Sequence, residues 1–160
     1  MAVFLRKLFG IGKLPDDFRA QLESEGILFL AEYVAVTRRF SGAIPGLRAA
    51  HSVASYAGSL ALTSQRVVGT LSSLPKLAGR VIDVAWDAPQ TGAAMAEIGP
   101  NGLQIELDVG KVDPKFHGHL ALHFKTDVPE DVLSRLPLRS LAFDVPPEYV
   151  FRAVGATYSP

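Results

Sequence analysis

Cysteine is absent from all 160 positions. Disulfides, thiolate nucleophiles and thiolate-held zinc are excluded at once, and a reducing compartment is compatible with the chain. Long apolar runs are missing too. The run around residues 26–30 falls far short of the roughly 20 residues that a spanning helix needs. Arg6 and Lys7 interrupt the apolar start, so no signal-peptide core of ordinary length forms and secretion is not expected. Excess charge is also lacking: 16 basic and 16 acidic residues balance to +0, and no overall field points to nucleic acid. The chain holds no Gly-x-Gly-x-x-Gly, no phosphate loop and no serine within Gly-x-Ser-x-Gly. What remains is a chain with 48% hydrophobic residues, long enough for one well-filled core and too short for two ordinary domains.

The even charge balance hides segregation. Residues 33–82 carry Arg38, Arg39, Arg48, Arg66, Lys76 and Arg80 with no acid, a net +6. Residues 83–113 carry six acids against Lys111 alone, a net −5. Either the folded domain has a basic and an acidic end, or the charges cancel across paired strands.

Residues 1–14 place Phe4, Leu5, Leu8 and Ile11 on one helical face beside Arg6, Lys7 and Lys13. This cationic amphipathic segment is either an interfacial membrane contact or a terminal piece docked on the parent barrel or a second subunit. Pro15, Asp16 and Asp17 open a helix over residues 15–25 and Gly26 closes it. Residues 27–40 read as a first strand, 41–46 as a Gly/Pro loop and 47–56 as a weak strand. Residues 58–69 form a hairpin in which Leu60 and Leu62 alternate with Ser59 and Ala61, and Thr63 to Gln65 supply the turn. Residues 71–79 are expected to be a loop and 80–86 a strand with Ile82, Val84 and Trp86 on one face. The clearest hairpin joins residues 93–98 to 103–109 across Gly99-Pro-Asn-Gly102. Residues 111–118 read as a loop and 119–125 as a strand with Leu120, Leu122 and Phe124 inward. A short helix over 129–136 stops at Pro137, a strand is expected within 138–145, and helical turns within 148–154.

About eight short strands with helices gathered at the chain ends predict one mainly β domain, a small antiparallel barrel or curved sandwich. The residues Leu62-Thr63-Ser64-Gln65-Arg66, flanked by apolar strands, resemble the hairpin of GRAM and bacterial PH-like domains, with Ser64 where that family commonly has Asn. The resemblance covers roughly residues 26–136 as the barrel core. It implies a PH-like barrel that serves binding rather than catalysis. PH-like domains usually finish in one long plugging helix, and here Pro137 cuts the candidate short and leaves 137–160 as a C-terminal extension.

By the same resemblance Arg38, Arg39 and Arg48, around the loop between the first two strands, are the candidate binding residues; guanidinium forks suit phosphate. Thr63 and Arg66 are read as structural. His117, His119 and His123 share strand parity, but His-x-His alone is a weak metal signal, so no metal, cofactor or catalytic residue is assigned. The expectation is therefore a non-catalytic, cytoplasmic interaction module, able to touch a membrane surface, whose partner is a protein, a peptide or an anionic lipid headgroup. The alternative is a barrel that holds an apolar small molecule inside, as carrier or enzyme. Filling of the interior discriminates the two.

Overall fold

The structure, a computed structural model, describes residues 13–74 and 77–156. Helix α1 (Asp16–Ser24) follows Pro15, carries Asp16 and Asp17 in its first turn, where the helix dipole favours acids, and ends before Gly26 at φ +86°. Its Leu22 is fully buried against Leu14, Ala61 and Val68. That contact accounts for a departure from simple alternation in the hairpin. Leu60, Leu62 and Val67 face the main core, while Ala61 and Val68 on the opposite face lie under α1, so the sheet is buried on both sides there.

Strands β1 (Ile27–Ile44), β2 (Leu47–Thr63), β3 (Arg66–Leu74) and β4 (Leu77–Ala85) form one antiparallel meander. Strands β5 (Ala94–Gly99), β6 (Gly102–Asp108) and β7 (His117–Lys125) form a second. Pairing of β1 with β7 joins them, and a short β8 (Ser140–Phe143) adds to β5. Among the described residues the order is β4-β3-β2-β1-β7-β6-β5-β8, an antiparallel sheet curled into a nearly closed barrel. The expected fold class stands, and Leu103, Ile105, Leu107, Leu120, Leu122 and Phe124 are all buried.

Bulges supply the curl. An extra residue in β1 between Ala31 and Val34 coincides with Tyr33 at φ 60°, and one in β2 opposite Ser41 coincides with His51 at φ 53°. Each increases local twist, so the long hairpin pairs with β3 at one end and with β7 at the other. A third bulge, at Val81 in β4, turns both Val81 and Ile82 into the interior and breaks the alternation expected there.

Two expected loops are strand instead. Residues 41–44 continue β1, and the turn is only Pro45–Gly46. Gly42 sits opposite Gly118 in β7, and a Cβ on Gly42 would lie 2.0 Å from the His117 carbonyl oxygen. The glycine marks close approach of two backbones rather than a loop. Likewise β3 runs on to Leu74 and β4 starts at Leu77, across the expected 71–79 loop, and residues 47–56 belong to the same strand as 57–63. Strand β7 starts at His117, two residues early. The amphipathic reading of residues 1–14 falls almost wholly outside the described residues.

Two C-terminal helices pack into the core. Short helix α2 (Glu130–Leu133) buries Val132 and Leu133, and helix α3 (Pro147–Val154) inserts Val150, Phe151, Ala153 and Val154. The ring of Phe151 meets Phe116 edge-on at 5.6 Å. Gly155, left-handed at φ 78°, ends α3.

Candidate functional site

The Leu-Thr-x-x-Arg motif builds the hairpin and ties it to its neighbours. Thr63 Oγ1 accepts from the backbone N–H groups of Gln65 and Arg66, which fixes the turn. The indole of Trp86 donates to the Thr63 carbonyl at 2.8 Å. Arg66 donates to Glu25 through Nε and Nη2 and to both Asp83 oxygens through Nη1, with N–O distances of 2.8 to 3.1 Å. Burial alone would lower the guanidinium's pKa, but hydrogen bonds and charge from Glu25 and Asp83 outweigh it and hold Arg66 above its ordinary value. Arg80 adds a 2.6 Å bond to Asp83, and the Phe18 ring lies beneath both Arg66 and Arg80. Part of the basic segment is thus neutralised by Glu25, just past α1, and Asp83 on β4.

The three candidate arginines do not converge. Arg38 and Arg39 are consecutive on β1 and point to opposite faces. Arg38 is 5% exposed: Nη2 donates to Ser52 Oγ at 3.0 Å, Nη1 to the Val154 carbonyl at 3.4 Å, and Nε has no partner. Its guanidinium lies 5.9 Å from the Tyr56 ring centroid. Among the described residues it is in no ion pair, and it sits at the C-terminus of α3, where carbonyl dipoles favour a cation. Arg48 is exposed near the β1–β2 turn, paired with Ala43. Arg39 is exposed on the outer face.

Around Arg39 the outer face is built in rungs. Arg39 lies opposite Ala121, Thr37 opposite His123, and Ala35 opposite Lys125. Each long cation therefore faces an alanine across the strand pair, and a shallow depression opens over Thr37 and Ala121, with Gln104 and Glu106 of β6 on its far side. Among the described residues neither Arg39 nor Lys125 is in an ion pair or a side-chain hydrogen bond. His123 contacts the Asn101 carbonyl at 3.2 Å. His117 and His119 are exposed on the same face, and no group of three or more metal-ligand side chains gathers among the described residues. Lys125 was not singled out from the sequence. Its parity with His123 signals the outer face, but only the pairing of β7 with β1 brings it near Arg39.

Inside the barrel, Val81, Ile105, Leu107, Leu120, Leu122 and α3 line a void of about 10 Å³. That is room for about one water. No family model, curated protein or solved structure matches this chain.

Proposed function

We propose that the protein is a non-catalytic, PH-like interaction module that docks an acidic or phosphorylated segment of a partner protein on the outer face of β1, β7 and β6. The observation that carries this reading is the pair of cations, Arg39 and Lys125, free of ion pairs among the described residues and flanking one depression floored by Thr37 and Ala121. Two fixed charges on the rungs either side of Thr37–His123 suit an extended acidic segment better than a compact ion. Support for the PH-like part comes from a four-strand and a three-strand meander joined through β1, with a C-terminal helix that buries Val150, Phe151, Ala153 and Val154 in the core. An apolar ligand inside the barrel is disfavoured by the one-water void among the lining residues named above.

The test compares wild type with the double variant Arg39→Ala/Lys125→Ala in binding to acidic peptides, with and without phosphoserine, and to phosphatidylserine vesicles. Peptide binding is expected, tighter at low salt, with about tenfold loss in the double variant and an unchanged melting temperature. Retention of both proteins by vesicles alone, or equal peptide affinity for the two, overturns the reading.

A further inference from the structure

Among the described residues β4 and β8 end the sheet, each with one edge that no other strand pairs. One depression lies between β4, β8 and α3, a second is bounded by Pro15 and Phe18 of the α1 region, Thr70 of β3, β4 and α3, and the two meet at Tyr149. Together they follow β4 from Gly79 and Arg80, beside Glu148 and Arg152, to Asp83, beside Asp144. This trough is separate from the outer-face depression around Arg39.

Both edges carry a side chain where a further strand would bond. The Ala142 N–H of β8 donates to Gln90 Oε1 at 3.0 Å. On β4, Arg152 Nη1 donates to the Arg80 carbonyl. Gly79 admits that contact, since a Cβ there would lie 2.2 Å from Arg152 Nε. The arginine also has an alternative partner. Glu148 stands one helical turn before Arg152, in the order that favours an i, i+4 ion pair, yet among the described residues the two form none. Arg152 is held instead by the strand edge and over the Tyr149 ring, at 5.6 Å from its centroid.

We propose that this trough receives an extended peptide from a partner protein as an added strand on β4, with Arg152 as its latch. In the free protein Arg152 occupies the Arg80 carbonyl. On binding, its guanidinium turns to an acidic residue of the peptide and a peptide N–H takes the carbonyl. The exchange replaces one donor by another, so opening leaves no buried group unpaired. The peptide runs antiparallel to β4, as every described pair in this sheet does. Charge sets its chemistry. Running that way it passes Asp144 first and Arg152 last, and neither is in an ion pair among the described residues. A basic residue followed three or four positions later by an acidic one fits, because Asp83 and Gly79 are about 13 Å apart along a strand.

Short random peptides displayed on phage and selected against the full-length chain test this. Selected peptides are expected to carry the basic-then-acidic spacing, and N-methylation along a selected peptide is expected to weaken binding about tenfold at every second residue and little between, since only alternate residues bond to the edge. Arg152→Ala is expected to erase the preference for the acidic residue while leaving the alternation, and Arg39→Ala/Lys125→Ala to change neither. Failure to select any peptide, N-methyl effects without alternation, or an acidic preference that survives Arg152→Ala overturns the proposal.

Discussion

Arg38 and Arg66 are both arginines drawn out of water, and among the described residues only Arg66 meets carboxylates. Replacing it with Met leaves Glu25 and Asp83 close together without their shared cation, so Arg66→Met is expected to cost about 3–5 kcal/mol in urea unfolding. Arg38 is a buried cation held by a hydroxyl, a carbonyl and a ring. Arg38→Met, which keeps the packing and removes the charge, is expected to leave stability within about 1 kcal/mol or raise it. A large loss would mean that the contact with the end of α3 outweighs the cost of desolvation. Tyr149 adds a pH signature. Burial pushes its phenol above the ordinary 10.0. Between about pH 10 and that higher folded value, the unfolded chain has released the proton that the folded chain keeps, so stability falls as pH rises. Tyr149→Phe is expected to flatten that part of the curve and to leave the slope below pH 10 unchanged. At this scale period-two alternation already separates Arg38 from Arg39 once a strand is assumed there. What it cannot show is which residue of another strand, here Lys125, lies on the same outer face beside Arg39.

Elements with one wet face were legible and doubly covered ones were not. The β5–β6 hairpin shows clean alternation because its outer face meets water, and its Gly/Pro/Asn turn falls where expected. The middle of the chain misled because glycines that permit close packing look like loop residues. Gly42 is such a case. Gly69, inside the expected hairpin, is packed as closely: a Cβ there would lie 2.8 Å from Ile82 Cγ2 and 2.8 Å from Phe124 Cζ. Gly69→Ala is expected to cost about 1–3 kcal/mol by overpacking. Combined with Phe124→Leu, which withdraws the ring, the loss is expected to be less than the sum of the two single losses, a coupling that a double-mutant cycle reads directly. Strict additivity would show that the ring has room to move. The extension after Pro137 could be read as a strand and a helix, but its role was hidden, since nothing local in 138–156 says which strand it extends or where in the core it packs.

For the whole molecule, the segregated charge of residues 33–113 gives no basic end among the described residues. Arg66 and Arg80 meet Glu25 and Asp83, Arg38 is turned inward, and Arg48 stands apart near a turn. Arg39 and Lys125, free of ion pairs among the described residues, come from strands about 80 residues apart in sequence, joined by the pairing that links the two meanders. The curled sheet thus brings together on one face residues that composition alone distributes over the chain. Chemical-shift mapping tests this account most directly: the isotope-labelled full chain is titrated with a phosphoserine peptide and its amide spectrum followed. The account predicts shifts concentrated at Thr37, Arg39, Ala121, His123 and Lys125 that vanish in Arg39→Ala/Lys125→Ala. Shifts centred on Arg48 or the barrel interior, or a pattern unchanged in the double variant, would contradict it.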